Sequence, residues 1–155
     1  MFAAFVETHL ERLLLSKMRN LNFDDRQRLF GPDRGPLGDF SAKIIIAYAL
    51  KVIGPITKDD LDLIRLLRNG FAHSRMHFTF ETPEVREVCE HFKLLTQFNI
   101  VIPADYRRFA GAKPDVNHPK VRFICACHDI SYRLTAAPFY PQAGDTVFPN
   151  DDPLP

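Results

Sequence analysis

The sequence predicts an all-α fold: a single-domain bundle of about five helices followed by a proline-rich C-terminal tail. Three observations carry this. Apolar residues recur at spacings of three and four, the period of one helix face. No segment shows a set of half-buried strands alternating apolar and polar residues. A length of 155 residues with 46% apolar content suits one domain with its own core. Residues 1–136 are assigned to the bundle and 137–155 to the tail.

In the first helix, Phe2, Phe5, Val6, Leu10, Leu13 and Leu14 share one side, with Glu7, Glu11 and Arg12 elsewhere on the wheel. The turn-rich stretch "LFGPDRGPLGD" then reads as a defined loop anchored by Leu29, Phe30 and Leu37. "DFSAKIIIAYALKVIG" is apolar almost all round, with Lys43 and Lys51 its charges after Asp39, so a helix over 40–53 is expected at the hub. Gly54-Pro55 should end it. Thr57 is expected to cap a helix over 58–73, with Asp59 and Asp60 complementing its dipole. After "SRMHFTFE", Thr82 and Pro83 open a helix through "PEVREVCEHFKLLTQFN". The last helix, "HPKVRFICACHDISYRL", starts near Pro119 and sets Val121, Ile124, Cys125 and His128 along one side. The tail should run extended, strapped down by Phe139, Tyr140 and Phe148.

Charge excludes little but directs the search. Twenty basic and 19 acidic side chains leave a net charge of +1, without the basic excess of chains that live on phosphate backbones. Three cysteines, an odd number, argue for a reducing compartment. The N-terminus lacks the pattern of a secretory signal, and no stretch approaches 18 uncharged apolar residues. A cytoplasmic protein with no membrane association is the expectation.

The chemistry concentrates in "LLRNGFAHSR". Leu61, Ile64, Leu67 and Phe71 form the expected buried face of their helix, and Asp62, Arg65, Asn69 and His73 a polar stripe nearly opposite. Arg68 falls at the edge of the apolar face, where an unpaired guanidinium is expensive, so an acid, backbone carbonyls or an anionic ligand must meet it. On a straight helix Arg68 and His73 point about 140° apart. Two arrangements bring them to one place: a bend or stop at Asn69-Gly70, or a cleft shared by two copies of the chain. Gly70 suits both, since it permits a kink and close backbone approach.

"RNGFAH" resembles the Arg-x4–6-His signature of the HEPN superfamily. The ordered combination of "LFGPDRGPLGDFSAKIIIAYALKVIG", "DDLDLIRLLRNGFAHSRMHFTFETPEV" and "KVRFICAC" resembles the bacterial mannitol operon repressor (MltR) family, over about residues 20 to 130. The MltR resemblance implies an all-α regulator of transcription without a DNA-reading module, and the chain carries no helix-turn-helix with exposed basic residues, zinc finger or basic arm. The expected activity is association, as a homodimer and with a DNA-binding regulator, with Asp62, Arg65 and Gly70 as binding residues. A small ligand is a second mode of control.

The HEPN resemblance implies the alternative, a metal-independent endoribonuclease of toxin or defence type acting on RNA. His73 would move the proton, Arg68 would fork onto the phosphate, and Asn69 would orient either. A purely structural role stands beside both: Arg68 paired with an acid such as Asp39, Asn69 on a loop carbonyl, and His73 at a helix end. No cofactor is implied and no metal. Cys125, Cys127 and His128 lie at adjacent and i+2 positions that diverge on a helix, and neither His118 nor Cys89 with His91 completes a zinc set. Ser16, Ser41, Ser74 and Ser131 lack a nucleophile-elbow setting. His77 and the run "DYRRFAG" read as connector and solvated surface.

Overall fold

A computed structural model describes residues 2–73, 78–97 and 115–136, and all that follows concerns these residues. They form seven α-helices and no strand, so the all-α expectation holds while the helix count rises from about five. The helices are α1 (Phe2–Lys17), α2 (Phe23–Phe30), α3 (Phe40–Ala49), α4 (Pro55–His73), α5 (Pro83–Glu90), α6 (Lys93–Gln97) and α7 (Pro119–Ala136). The proline-rich tail, His77 and "DYRRFAG" lie outside the described residues.

Two departures account for the extra helices. The first is α2, whose N-terminus is fixed by Asn22: its Oδ1 accepts the Asp25 amide at 2.8 Å and its Nδ2 donates to the Asp25 carboxylate at 2.9 Å. Only Phe30 of α2 is buried, so the segment offers almost no apolar period to read. The second is a break between α5 and α6. Phe92 is fully buried, and the amides of Lys93 and Leu94 turn onto the carboxylate of Asp60 in α4, at 2.8 and 2.9 Å. A long-range acid caps the short helix, which no local pattern announces.

The ends of α3 and the start of α4 also move. α3 stops at Ala49, because Lys51 adopts a left-handed φ of 56° and the Val52 amide reaches back to the Ala47 carbonyl at 2.8 Å. Gly54 is therefore the residue that precedes α4, with its carbonyl accepting the Lys58 amide at 3.0 Å and Pro55 in the first helical position, where its missing N–H costs nothing. Thr57 lies inside α4 and is buried. Thr82 and Pro83 open α5 as expected.

The hub is α7 and not α3. α7 buries Pro119, Val121, Phe123, Ile124, Cys125, Ala126, Cys127, Ile130 and Leu134, and packs along α1 and against α5. Its small residues at 125–127 let neighbours approach on several sides. α3 packs on α4 and α1 through Phe40, Lys43, Ile44 and Ala47, while Ile45 and Tyr48 face outward at 62% and 42% exposure. All-round apolarity thus did not mark the central element. His128, placed with Val121 and Ile124, is exposed instead.

The glycine loop between α2 and α3 is folded tightly on itself. The Leu37 amide donates to the Leu29 carbonyl at 2.8 Å, and Gly35 to Gly31 at 2.9 Å. A Cβ on Gly35 would lie 2.6 Å from the Leu29 carbonyl oxygen, and one on Gly38 2.5 Å from that of Gly31, so the backbone crossing requires glycine at both. This loop sets one wall of the site.

Candidate functional site

Arg68 leaves α4 toward α1 and is met by an acid, Glu7, through its Oε2. The Arg68 guanidinium carbon also sits 5.9 Å from the centre of the Phe40 ring. Glu7 is shared: its Oε1 lies 3.0 Å from the ammonium of Lys43, which lies 3.0 Å from Glu11, which in turn binds Arg26 of α2 at 3.0 Å. Cations and carboxylates therefore alternate along Arg68, Glu7, Lys43, Glu11 and Arg26, joining α4, α1, α3 and α2. Lys43 is 5% exposed, and two carboxylates are what permit an ammonium there. Asp39, the acid suggested for Arg68, precedes α3, and its side chain makes no hydrogen bond among the described residues.

The rest of the expected site divides in two. α4 runs unbroken through Asn69 and Gly70 to His73, so the expected kink does not form. Arg68 and His73 consequently remain apart on one continuous helix. His73 is the last residue of α4 and is exposed, without a polar partner among the described residues. Asp62 forms a ladder within α4, 3.0 Å from Lys58 and 3.3 Å from Arg65. Its carboxylate holds the Lys58 pKa above the ordinary lysine value, chiefly through that hydrogen bond. Leu61, Ile64 and Leu67 are buried as expected, but Phe71 is 37% exposed.

Among the described residues, a polar cleft and an apolar groove flank α4. The cleft, of about 560 Å³, opens between α1, α3, α4 and the glycine loop, with Asp39, Ser41, Lys43, Arg65, Arg68 and Asn69 in its wall. Two of the stretches quoted above for the family resemblance meet here: the one that runs through the glycine loop into α3, and the one that contains "RLLRN" of α4. On another face, the groove, of about 220 Å³, runs between α4 and α5, lined by Leu66, Gly70, Phe71, Phe78, Val85 and Val88 among others. A Cβ at Gly70 would meet nothing within 4 Å. The stack of Phe71 on Phe80, 5.0 Å between centroids, and of Phe80 on Phe123, 5.7 Å, ties this groove to the core.

Sequence reasoning missed Glu7, Glu11 and Phe40 as the surroundings of Arg68. A signal existed: Lys43 is a lone charge one turn into an apolar helix, and Glu7 with Glu11 makes the i, i+4 pair on α1 that such a charge needs. The buried thiols take no part. Burial pushes the pKa of Cys89 and of Cys125 up to about 11, and that of Cys127 higher still. No three His, Cys, Asp or Glu side chains among the described residues are grouped to hold a metal ion. No described helix is long and apolar enough to cross a membrane. Searched against family models, curated proteins and solved structures, the chain has no match.

Proposed function

We propose that this chain is an MltR-like cytoplasmic regulator that acts by association, as a homodimer and with a DNA-binding partner, and that it has no DNA-reading module of its own. The observation that carries this reading is Gly70. A helical glycine costs about 1 kcal/mol against alanine. No described atom outside its own helix lies within 4 Å of where its Cβ would be, so packing among the described residues does not account for the choice. The glycine lies in an apolar groove with Leu66, 53% exposed, on its rim, as a docking face for another polypeptide would require. Asp62 and Arg65 lie further back along α4, where their charges would fix the orientation of a partner.

Leu66→Glu tests the proposal, because an exposed leucine contributes little to the monomer's own stability. The wild-type chain should sediment as a dimer and co-purify with a DNA-binding protein from its host, and the variant should do neither while keeping its helical circular dichroism. A wild-type chain that stays monomeric and unaccompanied at 100 μM, roughly the upper range for a specific contact, would sink the reading.

The endoribonuclease reading rests on one feature: Arg65, Asn69 and His73 share an outward stripe of α4, which a second copy could complete. Chelator-resistant cleavage of RNA that vanishes in His73→Ala would establish it. Against it stands the continuity of α4, which keeps Arg68 and His73 of one chain on different sides of the helix.

A further inference from the structure

The association reading takes Arg65 from the rim of the polar cleft and leaves the cleft itself without an occupant, although it is larger than the apolar groove. We propose that it binds a small metabolite by an oxyanion, a carboxylate or phosphate monoester, that also carries a hydroxyl or ammonium group. Its volume of about 560 Å³ lies within the usual range for small-molecule sites.

Donors converge on this space from α4 and α3. Arg65 donates its Nε to Asp62, and Arg68 one Nη to Glu7, so each guanidinium keeps further N–H groups for a ligand. Asn69 and Ser41 make no side-chain hydrogen bond among the described residues, and both line the cleft. Phe40 and Ser41, the first residues of α3, line the same wall, and the Asp39 side chain does not cap the helix. Glu7 is no competitor for the ligand, because Lys43 occupies one of its oxygens and Arg68 the other. The walls hold three cations, Lys43, Arg65 and Arg68, against two carboxylates, Glu7 and Asp39; Asp62 and Glu11 hold Arg65 and Lys43 without lining the cleft.

Asp39 narrows the ligand class. Its exposed, unpartnered carboxylate repels a bare anion but accepts a hydrogen bond from a hydroxyl or ammonium. The ligand's anionic end therefore faces Arg65, Arg68 and Asn69, and its donor end faces Asp39. The site shares Arg65 with the association reading but needs no second copy, so a chain that never dimerises can still fill it.

The test is titration of the full chain, at constant ionic strength, with inorganic phosphate, phosphoserine, succinate and malate, read by NMR shifts and thermal melting. Saturable binding is expected, with phosphoserine tighter than phosphate, or malate tighter than succinate, according to which oxyanion the site takes. Arg65→Gln should weaken the preferred ligand about tenfold. Ser41→Asp should weaken it at least as much with the melting temperature kept or raised, since an acid in the first turn of α3 favours the helix. Asp39→Asn should tighten phosphate or succinate and abolish the preference for phosphoserine or malate. Arg86→Gln, on α5 and outside the cleft, should change nothing. Absence of saturable binding, or equal binding by wild type, Arg65→Gln and Ser41→Asp, overturns the site. An Asp39→Asn variant that keeps the wild-type preference overturns the ligand class.

Discussion

Replacing Gly70 by alanine should stabilise this protein, and the size of the gain can be worked from the surroundings. α4 passes through residue 70 without interruption, and the added methyl would meet no described atom within 4 Å. The change then reduces to helix propensity, worth about 0.8–1 kcal/mol in a helix interior. Part of the gain comes from the unfolded chain, which loses the freedom of glycine. Residue 70 lies in the last turn of α4, where fraying lowers the full value, so about 0.5–1 kcal/mol is expected. For a chain of this length that is a rise of about 1–4 °C in the melting temperature. Urea unfolding followed by circular dichroism, at a protein concentration low enough to exclude association, measures it directly. The midpoint should rise with the slope unchanged. A loss of stability would refute the reasoning, because it would mean that residue 70 is packed against something or departs from helical geometry. A gain at low concentration that reverses at high concentration would place a second backbone against the glycine.

Other perturbations test the rest of the framework. Asp60→Ala removes the acceptor for the Lys93 and Leu94 amides in a fully buried position, and should cost about 3 kcal/mol in urea unfolding. Lys43→Met takes the buried ammonium from between Glu7 and Glu11, each of which keeps an arginine; the expected loss is about 2 kcal/mol, below that for a buried carboxylate left with no cation. The three thiols should resist a disulfide reagent at pH 8 in the folded chain and react at once in urea, since all are buried. Their titration also sets an alkaline limit. The unfolded chain releases thiol protons near pH 9 while folded Cys89 and Cys125 hold theirs to about 11, so the folded state binds more protons and stability should fall between those values. An alkaline unfolding series in which Cys89→Ala shows the wild-type slope would count against this.

What could be read from the residues was the identity of most helices and the buried stripe Leu61, Ile64, Leu67. Strong 3.6-residue periods and local caps such as Thr82-Pro83 carry that information within a few residues of chain. The failures were non-local. α2 buries a single side chain, so its pattern is nearly silent. The split between α5 and α6 depends on Asp60, 33 and 34 residues away from the amides it accepts. The rank of α3 and α7 turned on residue size, since small residues at 125–127 admit neighbours on more sides than Ile45 and Tyr48 do. The need of Arg68 for an acid followed from its place on the wheel, but its partner sits 61 residues earlier. Local chemistry states that a charge must be satisfied, and topology decides by what.

The continuity of α4 then decides how its polar residues can be used. Within one chain, Arg68 is turned to Glu7 and Phe40 while His73 stands at the helix end, so no single atom lies between them. Any function that needs both residues at one point must take them from different copies. A two-fold axis beside residue 68 would set Leu66 of one antiparallel α4 opposite Gly70 of the other, a side chain facing a gap, twice over by symmetry. The same crossing would bring His73 of each copy back along its partner's helix toward Asp62 and Arg65. Dimerisation is thus the common requirement of the regulatory and the nucleolytic readings, whereas the proposed anion site needs only a single chain.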